Sequence, residues 1–432
     1  MAPAGLNPSL IDSQTATQAA ARGSQSARLL LRGLLALTNL AEVAGRRFVT
    51  AQPLREQVRL ILVGTFYHEN WLRAHLAPLL RWPRVESIDV VGEGPTLRLD
   101  RVRYHNMTPA TPTSAAARLA RRWNTLRQVA REVKPDAIIG YHIMPNGLLA
   151  LAAARLNGAR AIYQMTGGPV QLLGGGWQSE NPLLARLGAA SVQLEHRMFE
   201  IARRFDAIVV RGESAARFVA QHKLAAVWAT IPGAVESALI APNARPDFDL
   251  ISVGRLVDVK RVDRALAIIA ALRTIRPGVR AAIVGDGPLM QALRRLAEQL
   301  GIADAVEFLG ARDDVAALLV RSRAFLLTSC NEGLSIAALE AMAAGLPVIA
   351  PRVGDMGDVL ENDVTGLVIQ PDDAKTAAQR IAALLDDAPR RTALGLAARE
   401  RVQRACSVDH VASRWAALFE RLRDQSRAGA SR

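Results

Sequence analysis

The sequence predicts an α/β protein built from two doubly wound parallel sheets that face each other across an interdomain cleft. Three observations predict it. Short continuous apolar runs alternate with helix-like stretches, the pattern of strands covered on both faces by crossover helices. The series breaks once, at Pro242-Asn243-Ala244-Arg245-Pro246, and restarts at about the same size. The chain is 432 residues long, which accommodates two or three domains at roughly 150 residues each.

Taken in order, residues 1–25 are polar, small and without period, and predict a disordered tail rather than a secretory leader. Residues 26–56 form a helical extension around Leu29-Leu30-Leu31 and Leu34-Leu35, with Arg28, Arg32, Arg46 and Arg47 about it. Arg32, Asn39 and Glu42 interrupt the apolar stretch, so it falls short of a membrane span. Two readings stay open: a helix on an anionic membrane surface, or one packed on the body of the protein. The first sheet domain covers 57–241, with strands predicted at Arg59–Gly64, Ser87–Gly92, Ala137–Gly140, Ala161–Met165 and Ala207–Val210. The second covers 247–405, with strands at Phe248–Gly254, Val279–Gly285, Ala305–Gly310, Ala324–Thr328 and Pro347–Ala350. Residues 406–432 give a terminal helix, with Val411, Trp415, Leu418 and Leu422 at helical spacing, and a frayed tail from Asp424.

Composition excludes several classes. Two cysteines, Cys330 and Cys406, allow neither a disulfide framework nor a cysteine-rich zinc module. The formal charge of +14 comes from 54 basic against 40 acidic residues. Only Lys134, Lys223, Lys260 and Lys375 are lysine, so the arginine excess reads partly as codon bias. Aromatic residues are 4%, too few for a base-stacking platform, and nucleic acid is not expected as a partner. The charge still favours phosphates or an acidic lipid surface.

The most informative segment is NEGLSIAALEAMAAGLPVIA, Asn331 to Ala350. A turn at Ser329–Gly333 leads into a helix expected from Leu334 or Ser335. Glu332 then stands at the helix mouth and Glu340 about two turns in, about 12 Å away. The amides of Gly333, Leu334 and Ser335 are free at such a helix start and suit an anion. Alone, the two carboxylates read better as a dipole partner and a solvated side chain. After the first strand of the same domain, Gly254 permits a tight turn, and Arg255 and Lys260 offer a fork and a point charge for a diphosphate. Gly285-Asp286-Gly287-Pro288 makes a further turn after the next strand.

Together these elements resemble the retaining glycosyltransferases of family GT4, which have two Rossmann-like domains in the GT-B architecture. VGRLVDVK, IVGDGP, VEFLG and E-x7-E fall in the family's order over roughly Phe248 to Ile369. The resemblance implies transfer of a sugar from a nucleotide-sugar to a saccharide or lipid-linked acceptor hydroxyl, with retention. Neither metal nor cofactor is implied. Arg255 and Lys260 would hold the donor diphosphate, Glu332 the transferred sugar and Glu340 the ribose. Gly285 and Leu309, in Phe308-Leu309-Gly310, would flank the nucleoside. A nucleotide-sugar epimerase and a non-catalytic binding subunit are the alternatives. The expected location is cytoplasmic, peripheral on the inner face of the membrane, in cell-surface polysaccharide or glycolipid synthesis.

The amino-terminal half departs from the family. Its double-glycine loop is here Gly64-Thr65-Phe66-Tyr67-His68, and its histidine position is here Thr166, in Gln164-Met165-Thr166-Gly167-Gly168. A Thr166 carbonyl facing the sugar, or His142, is the substitute expected. The glycine-rich run from Gly167 to Trp177 is read as a loop closing over donor or acceptor. Other signals are discounted. Asp247-Phe248-Asp249 lies at the wrong strand end for a metal motif, and Asp313-Asp314 reads as a helix cap. His68 and His75 lack a third ligand, and Cys330 reads as packing.

Overall fold

The computed structural model describes residues 13–48, 52–106, 114–173, 192–236 and 246–430. The first domain holds a seven-stranded sheet in the order β3-β2-β1-β4-β5-β6-β7. Its strands are β1 Val58–Thr65, β2 Val85–Glu93, β3 Val102–Asn106, β4 Ala137–Tyr141, β5 Arg160–Met165, β6 Ala207–Val210 and β7 Trp228–Thr230. The second sheet has six strands in the order β10-β9-β8-β11-β12-β13. These are β8 Phe248–Val253, β9 Ala281–Val284, β10 Val306–Gly310, β11 Ser322–Leu326, β12 Val348–Ala350 and β13 Gly366–Val368. Every ladder is parallel. The central runs are apolar throughout because helices cover both faces, and Leu60, Ile61, Leu62 and Val63 are fully buried.

Among the described residues the helices are α1 Ser13–Phe48, α2 Glu69–Arg81, α3 Ala115–Val133, α4 Leu148–Asn157, α5 Val192–Ala202, α6 Glu213–Gln221 and α7 Val262–Ile275. They continue as α8 Met290–Gln299, α9 Val315–Val320, α10 Ile336–Ala343, α11 Ala374–Asp386, α12 Ala388–Cys406 and α13 Val408–Ala430. Side-chain caps set several starts. Ser114 accepts from the Ala117 amide at 3.2 Å, and Asp373 from the Thr376 amide at 3.1 Å.

In both sheets the strand order reverses beside the first strand, between β1 and β4 and between β8 and β11. Ligands of open α/β sheets bind outside the carboxyl ends of the strands at such reversals. The chain then crosses back: α13 packs on α2, and Trp82 stacks on Phe419 with ring centroids 5.0 Å apart. Val411, Trp415, Leu418 and Leu422 thus belong to the first domain's core.

Several expectations need correction. Residues 13–25, expected to be a tail, are the first part of α1, and α13 continues through the expected frayed end to Ala430. Strands β3, β7 and β13 carried no sequence signal. Each is an edge strand, and β3 is largely polar (Val102-Arg103-Tyr104-His105-Asn106), with Arg103 and His105 both bonded to buried Asp89. Asp314 occupies the N-cap position of α9, but its carboxylate is held by Arg312 at 2.7 Å rather than by a helix amide. Cys330 is exposed, not packed. Asp247 and Asp249 pair with Arg321 and Arg323 at the amino end of β8. Residues 242–245 of the expected linker and 174–177 of the glycine-rich run lie outside the described residues. No helix of the described residues is long and apolar enough to cross a membrane.

Candidate active site

The two strand reversals face one cavity of about 430 Å³ between the domains. From the second domain it is lined by Gly254, Arg255 and Lys260 after β8, Gly285 after β9, and Glu332, Gly333, Leu334, Ser335 and Glu340 after β11. From the first it is lined by Thr65 at the end of β1, His142 after β4, and Thr166 and Gly167 after β5. Two expected residues are not part of it. Gly64 lies under the Phe66 ring, and Leu309 packs against the core while Ala311, Arg312 and Asp313 reach the cavity instead. The β10 end therefore presents its following loop, not its last strand residues.

The close approach of backbones explains the glycines. A Cβ on Gly333 would stand 2.0 Å from the Thr166 carbonyl oxygen, so only glycine lets the two domains meet here. That carbonyl is therefore applied to the Glu332-Gly333 turn. Gly285, at φ +131°, presses on the Gly254 carbonyl in the same way, which holds the β8 and β9 turns together.

Helix α10 begins at Ile336, later than expected, because Ser335 acts as its N-cap and accepts from the Ala338 amide at 3.4 Å. Gly333 and Leu334 form the turn before it. Lys260 Nζ lies 2.5 Å from Glu332 Oε1, which also accepts from Ser329 Oγ at 2.7 Å. The cation and the carboxylate read separately in the sequence are thus one ion pair. Glu340 is pushed up to about 7 by burial, while a hydrogen bond from Asn70 pulls it back down. That bond comes from α2, across the domain boundary.

The first domain contributes groups that no sequence pattern revealed. The Arg255 guanidinium stacks on the Tyr67 ring, 4.2 Å from its centroid. Burial and Arg255 together lower the pKa of neighbouring His68. Tyr67 occupies the loop noted for lacking the double glycine, which was its only signal. Thr166 Oγ1 lies 3.1 Å from His142 Nδ1, so the two rival substitutes for one histidine are neighbours. Gln171 Nε2 approaches the same nitrogen at 2.5 Å, and Tyr163 donates to Gln171 at 2.7 Å. His142 holds φ +61°, unusual for a side-chain-bearing residue and a feature that clusters at functional sites. Among the described residues no group of three or more metal-ligating side chains exists.

Two sheets of this strand order, with cations, carboxylates and a glycine turn around a cleft at both reversals, define an α/β protein of the GT-B class. Residues 240–401 match the family described as glycosyl transferases group 1. An exopolysaccharide phosphotransferase of Streptomyces coelicolor is 30% identical over 315 residues, covering 71% of this chain and 31% of that protein. A GDP-mannose-dependent phosphatidylinositol monomannoside mannosyltransferase of Mycobacterium tuberculosis is 35% identical over 178 residues, covering 39% of this chain and 46% of that protein. These matches span less than half of each relative's length. In fold, the chain resembles Anabaena HepE solved with UDP and glucose (TM-score 0.67, 17% identity, 84% of this chain and 100% of that one). It also resembles sucrose-phosphate synthase of Thermosynechococcus elongatus (TM-score 0.67, 18% identity, 85% and 99%). The chain thus has the GT-B fold and a second domain of the group 1 glycosyltransferase type.

Proposed function

We propose that this chain transfers a sugar from a nucleotide-sugar to an acceptor hydroxyl, with retention of configuration. The donor lies on the second domain and the acceptor on the first. Arg255 and Lys260 neutralise the diphosphate as it leaves, assisted by the turn at Gly333 and Leu334. Glu332 takes hydroxyls of the transferred sugar and Glu340 those of the ribose. The acceptor is a saccharide or a lipid-linked saccharide of a cell-surface polysaccharide or glycolipid. No metal or cofactor takes part, and the protein works at an anionic membrane surface on the cytoplasmic side.

The observation that carries this reading is the convergence of Arg255, Lys260, Glu332 and Glu340 on one cavity, with Lys260 already paired to Glu332 at 2.5 Å. In the free protein that pair keeps both charges compensated. A bound diphosphate offers Lys260 a second anion, and Glu332 gains the sugar hydroxyls.

A transfer assay with a panel of nucleotide-sugars, run in the presence of a chelator, tests it. Arg255→Ala and Lys260→Ala should each lower kcat by at least about a hundredfold, the scale of a lost transition-state charge contact, while the far-ultraviolet circular dichroism stays unchanged. Near-native turnover in either variant, or a strict metal requirement, overturns the assignment.

A further inference from the structure

We propose that Arg211 forms an anion subsite on the first-domain side of the cavity, taking a phosphate or carboxylate carried by one of the substrates. Arg211 follows β6, lines the cavity and is 2% exposed. Its Nη2 lies 2.6 Å from His75 Nε2. His75 Nδ1 is 2.6 Å from the Trp71 carbonyl, so the ring donates there and accepts from Arg211 as a neutral imidazole. Burial and the Arg211 charge together hold the His75 pKa well below its usual range, which agrees with that state. The His75 ring therefore gives Arg211 a hydrogen bond acceptor but no counter-charge, and the Asp355 carboxylate acts on it only from beyond hydrogen-bond distance.

The remaining guanidinium nitrogens are bare. Nε and Nη1 are buried without a partner, and no carboxylate forms an ion pair with Arg211 among the described residues. Two further polar atoms of the same neighbourhood, Tyr141 Oη and Asp355 Oδ2, are likewise buried without partners. Desolvation brings the Arg211 pKa to about 10, so the group is still a cation at neutral pH. A buried cation without an ion-pair partner costs several kcal/mol, and such a group is stabilised by an anion that arrives with a ligand. A planar guanidinium with the N–H groups of Nε and Nη1 still unpaired matches the oxygens of phosphate or carboxylate.

The position says which end of the ligand is involved. The Arg211 Cγ lies 3.5 Å from where a Cβ of Gly333 would stand, so its stem rests against the turn that carries Glu332. Under the glycosyl-transfer reading, on which this assignment of the end rests, that is the sugar side of the cavity. The anion is then either the carboxylate of an acidic donor sugar or a phosphate or carboxylate on the acceptor.

Thermal denaturation of the full chain tests the proposal, comparing wild type with Arg211→Met. Removing a buried cation that has no ion-pair partner should raise the ligand-free midpoint, whereas loss of a merely structural arginine would lower it. With the diphosphate site filled by saturating UDP, inorganic phosphate, glucose 6-phosphate and glucuronate should stabilise wild type further and leave the Met variant unmoved, with affinity weakened at least about tenfold. UDP should stabilise both forms, since Arg255 and Lys260 are intact. An Arg211-dependent preference for UDP-glucuronate over UDP-glucose assigns the anion to the donor. An Arg211-dependent gain from glucose 6-phosphate on top of saturating UDP assigns it to the acceptor.

Equal responses of the two proteins to every anion overturn the subsite. If UDP stabilises neither protein while phosphate still discriminates between them, the glycosyl-transfer reading falls and the subsite stands. Should Arg211→Met not fold, Arg211→Lys carries the comparison. It keeps the charge and loses the fork, so phosphate affinity should fall by about tenfold, and unchanged affinity overturns the proposal.

Discussion

Glu340 is the residue whose environment most directly predicts a pH effect. Its carboxyl is raised from 4.5 to about 7 by burial, and that of Asp355, near the domain joint, from 3.8 to about 6 by the same cause. A carboxyl with a raised folded pKa favours the folded state in its neutral form. That contribution is complete below the unfolded value and is lost as pH climbs through the folded one. The melting temperature should therefore fall from pH 5 to pH 8, and Glu340→Gln should flatten the part of the fall near pH 7. Thermal scans across that range check this, and identical slopes in both proteins would count against it. Gly333 makes a steric prediction. An alanine Cβ would sit 2.0 Å from the Thr166 oxygen, so Gly333→Ala should cost about 1–3 kcal/mol of stability. It should also cut transfer, because the domains must part for the methyl group. Urea denaturation and kcat measure the two effects, and a neutral result in both would contradict the close contact. The sequence placed Glu332 and Glu340 at one helix start because their spacing is local. Arg211 and Tyr67 were silent, since their significance arises only when β6 meets α2 and the turn before α10, and when the loop after β1 meets Arg255.

At the scale of elements, the strands buried on both faces were the readable ones. An uninterrupted apolar run such as Leu60-Ile61-Leu62-Val63 has one plausible fate in an α/β chain. The edge strands were not readable, because an edge has one neighbour and tolerates polar residues, as β3 does with Tyr104, His105 and Asn106. Helix α13 shows a different limit. Its apolar spacing identified a helix, but periodicity names no partner, and the face turns out to complete the core of the opposite domain. That crossing makes α13 a strap between domains, supported by Arg84 donating to Glu420 at 2.6 Å and by the Trp82–Phe419 stack. Trp415 is 2% exposed within it. Trp415→Ala should cost about 3–5 kcal/mol, the range for losing a large buried aromatic ring. Chemical denaturation followed by circular dichroism measures it. A loss under about 1 kcal/mol would mean that the strap does not complete the first domain's core.

For the whole molecule, the question is what the long first helix does once its packing is accounted for. Leu31, Leu34, Thr38 and Ala41 are buried, and α1 lies along α4. The opposite side exposes Leu29, Leu40 and Val43 at 61%, 69% and 64%, with exposed Arg28 and Arg32 nearby. The two readings of this segment are therefore not rivals, since one face packs on the body while another stays apolar and outward. A positively charged molecule with such a face should gain on an anionic bilayer from both burial and charge attraction. Each exposed leucine or valine buried contributes roughly 1.5–3 kcal/mol, so three of them with the basic residues suffice for reversible association. The intact chain should sediment with vesicles containing an anionic phospholipid and much less with neutral ones. Leu40→Asp with Val43→Asp should abolish sedimentation without lowering the melting temperature, because both side chains point away from α4. Raised salt should weaken binding only in part, as screening reaches the charge and not the apolar contact. Equal recovery of wild type and the double variant in the supernatant with anionic vesicles would assign the outward face another role.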